Sequence, residues 1–287
     1  MITALLLLLL FSPALLVYAK PVILTFDDNY RSQYEFVAPL LEKYGFNATF
    51  FIYCQLRDDP DELTWSEIRD LDKRGFDIQS HSMTHMNLEH ASNADLVYEI
   101  SESRYCIEDE IMSEVNVFAT PFASGDDNST ILQAIRDAGY DFARSGYSNN
   151  FELNCDQKSA AGCELFNDNG TIKEQNKYNI PTTNINGMMR EMNNSIPLSM
   201  NEFADKISAN VDYNGADNLT SFPVLVYHNF TEKANADPKV RSPNMPYALF
   251  EQQMKWLYDH GYTAHSMADL TYDNATHVFR LNGERFR

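Results

Sequence analysis

Tryptophan is nearly absent from this 287-residue chain, which holds two, and cysteine is sparse at four. No two cysteines stand at C-x-x-C spacing, which argues against thiolate-based zinc sites. Basic residues are few. Against 41 Asp and Glu there are 22 Lys and Arg, a net charge of −19 that repels phosphate backbones and anionic lipid headgroups and argues against nucleic-acid binding. Beyond the first nineteen residues there is no long hydrophobic run, internal repeat, low-complexity tract or long linker. What remains has the composition of a folded protein, 44% hydrophobic and 22% charged. Eighteen Phe and sixteen Tyr supply apolar area for a core or a sugar-binding groove.

The leucine run Leu5–Leu10 continues through Phe11, Pro13 and Leu15 to Val17, and Ala19 is a small residue of the kind a signal peptidase accepts. Residues 1–19 read as a secretory signal peptide. Because this segment lacks Lys and Arg and nearly reaches bilayer-spanning length, the alternative is a retained anchor, the only case in which the chain would touch a membrane. Either reading places the domain outside the cytoplasm, secreted or at the cell surface. There cysteines pair. Cys155 and Cys163 close a short polar loop, which leaves Cys54 and Cys106 as a longer-range pair; alternatively Cys54 is a buried thiol. Seven Asn-x-Ser/Thr sequons, at Asn47, Asn128, Asn169, Asn193, Asn218, Asn229 and Asn274, are compatible with glycosylation.

Strand and helix patterns alternate along the chain. Predicted strands are Lys20–Phe26, Ala48–Cys54, Phe76–Ser80, Val115–Thr120, Phe142–Ser145, Tyr178–Pro181 and Phe222–Tyr227. Predicted helices are Tyr34–Tyr44, Trp65–Arg74 capped by Thr64, Asn93–Ser113, Ser129–Ala138, Ser199–Asn210 and Tyr247–His260, with a last turn at Ser266–Leu270. Alternation on short turns means an α/β fold with a parallel sheet or barrel. One domain is expected over residues 20–275, with a loop insertion at about 147–178 and a C-terminal tail at 276–287.

Chemistry-bearing residues fall after predicted strands, where ligands bind in parallel α/β folds. Asp27 and Asp28 follow the first strand; taken alone they could be solvated turn acids. His81 and His85 follow the third at a spacing that lets two imidazoles share one ion with a carboxylate. His90, nearby, reads as a surface or structural histidine. Thr120-Pro121-Phe122 follows the fourth strand, and His228 ends the very apolar strand before it, as a core or a catalytic histidine.

In their order, these segments resemble the polysaccharide deacetylase superfamily of carbohydrate esterases. TFDDNYRSQYEFVAPLLEKYGFNATFF resembles its first motif, helix and second strand; HSMTH resembles its histidine motif. FATPFAS is similar to its groove motif, LVYHNF to its final motif, and FEQQMKWLYDHGYTAHSMADL to its closing helix and turn. The resemblance covers about residues 20–146 and 178–270. It implies a distorted (β/α) barrel with fewer than eight regular strands and metal-dependent hydrolysis of acetyl groups on a polysaccharide. By position it implies Asp27 as general base, Asp28, His81 and His85 as ligands of one divalent metal such as zinc, the Phe122 backbone N–H as oxyanion donor and His228 as general acid. The family's groove-motif Arg is here Ala119, and its usual glycines are Asn29 and Ala123. Its acidic-Trp motif has no clear match. Arg144 could replace the lost Arg, or be a solvated rim residue. A glycan-binding domain without turnover, or an amidohydrolase of small amides, would also fit these residues.

Overall fold

The computed structural model describes residues 20–125, 127–147, 177–185, 198–209, 212–213, 219–232, 244–273, 278–281 and 284–286. The segment 1–19, the Cys155/Cys163 pair, most of the expected insertion and the sequons at Asn169, Asn193, Asn218 and Asn274 lie outside them. Among the described residues no helix is long and apolar enough to cross a membrane.

Seven parallel strands close a ring: β1 (Lys20–Asp27), β2 (Thr49–Ile52), β3 (Asp77–Ser80), β4 (Val117–Ala119), β5 (Phe142–Tyr147), β6 (Ile180–Asn184) and β9 (Val224–Tyr227), which returns to β1. A small sheet holds β7 (Asp212–Tyr213), β8 (Leu219–Ser221), β13 (Leu270–Asp273), β14 (Val278–Leu281) and β15 (Glu284–Phe286); β10 (Phe230–Thr231) and β11 (Met245–Pro246) form a pair. The eighth barrel strand, β12 (Tyr262–His265), pairs with the start of β1, and its Ala264 carbonyl accepts from Asn47 N–H at 3.2 Å just before β2. It is a wedge between β1 and β2 at the barrel's N-terminal end.

Strand side chains alternate. Val22, Leu24 and Phe26 belong to the larger apolar cluster, shared with the helices, while Ile23 belongs to the smaller one with Phe51, Val117, Ala119, Phe142 and Val224 inside the barrel. The parity of that interior set runs on through Asp27, His81, Arg144 and His228 at the other end of the strands. Behind them Phe26, Phe50, Tyr227, Phe230 and Phe250 stack with neighbouring ring centroids 4.8–6.1 Å apart. Truncating such a ring costs about 3–5 kcal/mol, so the strand ends stand on a stiff base.

The helices are α1 (Ala38–Tyr44), α2 (Trp65–Lys73), α3 (Asn93–Leu96), α4 (Ser103–Ile111), α5 (Ser129–Asp137), α6 (Met200–Ala209) and α7 (Tyr247–Asp259). Thr64 caps α2 in a capping box with Glu67, and Gly45 at φ 66° ends α1. Two helices differ from their sequence-based expectation. The first opens with a π-turn at Gln33–Val37, and the long acidic helix is interrupted by another at Val97–Glu102 and stops at Ile111. Residues 276–287, expected as a tail, instead supply β14 and β15, where Phe279, Arg280 and Leu281 pair with Phe286, Arg285 and Glu284. The expected strand Tyr178–Pro181 is displaced to Ile180–Asn184. A disulfide joins Cys54, just beyond β2, to Cys106 in α4 with Cα atoms 6.2 Å apart, so the buried-thiol alternative falls.

Candidate active site

Four strand ends converge at the C-terminal rim. Asp27, 3% exposed, ends β1, and Asp28 follows it at φ 74°. Asn29, where the family has Gly, keeps φ 55°: its side chain donates to the Tyr53 carbonyl at 2.9 Å and accepts from Tyr53 N–H at 3.2 Å. Those two bonds tie the turn after β1 to the end of β2, and Asn is among the few residues that tolerate this backbone region.

His81 Nδ1 lies 2.8 Å from the Ala119 carbonyl. A carbonyl only accepts, so Nδ1 carries the hydrogen and the neutral ring presents the Nε2 lone pair to the site. Asp28 Oδ1 is 3.3 Å from His81 Nε2 and 3.0 Å from His85 Nε2, with no N–H directed at it in hydrogen-bond geometry. One donor atom from each of the three residues lies within 4.8 Å of the others. Burial pushes the Asp28 carboxyl up, but proton-bearing imidazoles at His81 and His85 would outweigh it and hold the group well below the usual carboxylate range, the same direction in which a cation in their place would act. Burial likewise lowers the His81 pKa while Asp27 and Asp28 raise it further, to a net increase. Three electron-rich atoms facing one point fit a divalent cation with a two-histidine, one-carboxylate set.

Asp27 is held from the opposite side. Its Oδ1 accepts from the Arg144 guanidinium, which is 4% exposed and stacks 4.4 Å above the Phe51 ring. Its Oδ2 is 3.9 Å from His81 Nε2 and 3.9 Å from His228 Nε2. Arg144 and Ala119 are register partners on β5 and β4, so the small side chain leaves room for the guanidinium to enter from the next strand. The solvated-rim reading of Arg144 is thereby overturned. Phe122 sits at φ 59°, 60% exposed, with its ring centroid 4.6 Å from that of His85. All six residues predicted for the site are therefore in one place, and His90 is exposed in a short turn away from them.

The sequence reading missed two buried polar residues here. Gln33 Nε2 donates to the Asp27 carbonyl at 2.5 Å and to the His228 carbonyl at 3.1 Å, joining the ends of β1 and β9. Glu99 accepts from the loop between His81 and His85. A signal existed: each stands on the apolar stripe of its helix, Gln33 four before Val37, and Glu99 between Leu96 and Ile107 by steps of three, four and four.

The polysaccharide deacetylase family model matches residues 17–143. That segment carries the likeness of this chain to the polysaccharide deacetylase superfamily. A Bacillus subtilis protein assigned to the polysaccharide deacetylases, YxkH, is 27% identical over 121 residues, 42% of this chain and 43% of its own length. A bifunctional xylanase/deacetylase of Pseudobutyrivibrio xylanivorans is 30% identical over 116 residues, 40% of this chain and 18% of its own length. The match thus spans less than half the length of these curated relatives. Among solved structures, the Xyl-CE4 domain of a multidomain xylanase from the hindgut metagenome of Trinervitermes trinervoides superposes with a TM-score of 0.53 at 20% identity, covering 87% of this chain and 88% of that one. A CE4 family pseudoenzyme from Bacillus anthracis gives 0.52 at 13% identity, covering 88% and 65%. At these identities the likeness concerns the fold.

Proposed function

We propose that the protein is an extracytoplasmic hydrolase of the polysaccharide deacetylase superfamily that removes acetyl groups, N- or O-linked, from a polysaccharide, with one divalent cation, zinc by ligand type, held by Asp28, His81 and His85. A cation there would supply Lewis acidity toward water and an acyl oxygen. The chain's own groups do the rest. Asp27, aimed by Arg144, takes a proton from the water that adds to the acetyl carbon. The Phe122 N–H donates to the developing oxyanion. The C–N or C–O bond then breaks, acetate forms, and His228 hands a proton to the leaving nitrogen or oxygen.

The observation that carries this reading is the division of labour between adjacent carboxylates: Asp28 lies 3.3 Å or less from two imidazoles, while Asp27 accepts from a guanidinium and stands 3.9 Å from both His81 and His228. Ala119 favours the alternative, a glycan-binding domain without turnover, and the Arg144–Asp27 contact answers it by restoring the missing charge. Acetate release from a panel of acetylated glycans, measured with and without chelator, tests the proposal. Release that stops with chelator and returns with zinc is expected. Release indifferent to chelator overturns the cation assignment, and none on any glycan favours the binding domain.

A further inference from the structure

The loop between the two candidate ligand histidines has a backbone that ordinary residues avoid. Ser82 lies at φ 75° and His85 at φ 63°, and neither is glycine. Such a shape is costly and persists only where the surroundings hold it.

The loop is gripped on two sides. From the β2 side, Cys54 N–H donates to the Ser82 carbonyl at 3.1 Å and Gln55 N–H to the Met83 carbonyl at 2.8 Å. From the helical side, one oxygen of Glu99 accepts from Met83 N–H at 3.1 Å and Thr84 N–H at 2.9 Å, and its other oxygen accepts from the Thr84 hydroxyl at 2.5 Å. Glu99 is 2% exposed, a setting in which a carboxylate is costly unless its oxygens are satisfied, and those three donors all come from this one loop. The π-turn at Val97–Glu102 brings it there, and such turns gather at functional sites. The Cys54–Cys106 disulfide ties the two grips together, one partner beside the β2 contacts and the other on the helix that follows Glu99. Within the loop, Ser82 Oγ accepts from His85 N–H at 3.0 Å.

We infer that Glu99 is a positioning residue for the cation site, holding the Ser82–His85 loop in the strained shape that points His85 and His81 at the same place. This rests on the reading of Asp28, His81 and His85 as ligands. The side chain needs acceptors, not charge: a glutamine oxygen could accept both N–H groups while its amide donates to Thr84 Oγ.

The test is a calorimetric titration of the chelator-stripped full chain with Zn2+, with Co2+ absorption as a report on ligand geometry. Glu99→Ala is expected to weaken Zn2+ binding by about 10–100-fold, the range for groups that orient metal ligands, and to alter the Co2+ spectrum. Glu99→Gln should restore most of both. Ile107→Ala, a cavity in the same helical segment away from the loop, should lower Tm yet bind Zn2+ as the wild type does. Wild-type affinity in Glu99→Ala overturns the inference, as does a loss in Ile107→Ala equal to it. If Glu99→Ala does not fold, Thr84→Val decides: weaker Zn2+ binding supports the inference, and unchanged binding with an unchanged Co2+ spectrum overturns it. Wild-type protein that binds no Zn2+ is a different failure, that of the ligand assignment itself.

Discussion

The two ends of the barrel hold the same kinds of side chain and use them in opposite ways. At the N-terminal end Asp77 accepts from Thr49 Oγ1 at 2.6 Å, Gln79 Nε2 at 2.7 Å and Ala268 N–H at 3.2 Å, a carboxylate with both oxygens engaged. At the C-terminal end Asp28 faces lone pairs in place of directed donors. A single strand, β3, supplies both ends, with Asp77 at its start and His81 just past its finish. Acceptors surrounded by donors stitch a structure together; acceptors gathered around a point ask for a cation. Among the described non-glycine residues, positive φ values at Asp28, Asn29, Ser82, His85, Phe122 and Ala123 lie in the loops of the C-terminal end, with Met112 at the end of α4 the one outside them.

The sharpest way to break this contrast lies within the site itself. Asp27→Asn should lower turnover by about 10²–10⁴-fold, as loss of a general base does, with Zn2+ affinity nearly intact. Asp28→Asn should instead lose Zn2+ affinity, by more than the roughly 10–100-fold that outer groups control. Titration calorimetry beside acetate-release kinetics separates them, and equal loss of metal in both variants would erase the division between the two carboxylates.

A smaller effect is expected at Arg144. Arg144→Ala should lower kcat by one to two orders of magnitude with little change in metal affinity, the pattern of an interaction made mainly in the transition state. Because Ala119 is the register partner of Arg144 and shares its interior face, Ala119→Arg should recover part of that loss in the Arg144→Ala background. No recovery would mean that the guanidinium serves Asp27 only from β5.

The smallest effect belongs to the N-terminal end. Asp77→Asn turns an amide donor toward the Gln79 amide, which cannot rotate freely because its oxygen accepts from Asn116 and Val117 N–H, and should cost about 1–2 kcal/mol without touching Zn2+ affinity. Burial raises the Asp77 pKa in the fold, so its stability contribution is fully present below the unfolded value near pH 4 and is lost as pH rises through the folded value. The Tm difference between wild type and Asp77→Asn should therefore shrink as pH is raised from below 4 toward neutrality, a change on the order of a few degrees measured in chelator. A difference that grows with pH would show that the hydrogen bonds, and not burial, govern this group.

Much of the site was legible because strand parity is simple. Ile23 to Asp27, Phe142 to Arg144 and Val224 to His228 are even steps, so a residue two or four past an interior apolar residue must share its side. Arg144 could be proposed on those grounds, yet its distance from Asp27 depended on how far β4 and β5 are offset, which no local pattern encodes. The π-turns were illegible for another reason. An extra residue in a helix leaves the apolar stripe recognisable on both sides, so nothing in the pattern of residues 93–111 marks where the π-turn falls. At the C-terminal end of the chain, β14 and β15 pair with each other, β13 and β8; Phe279 and Leu281 alternate with Arg280 ahead of Asn282-Gly283, a hairpin signal that the reading of 276–287 as a tail passed over.

The strand that carries Asp27 is made first and completed last. Its neighbours on either side include β9 and β12, and the bond from Thr25 Oγ1 to the Leu225 carbonyl spans 200 residues. Until the ribosome has delivered those segments, the apolar β1 is an edge open to wrong partners, and the pairing that closes the ring is among the slowest kinds to form. Asp27 and His228 meet only at that closure. During refolding, recovered activity would therefore report the sealing of the barrel, well after helix and strand content has returned.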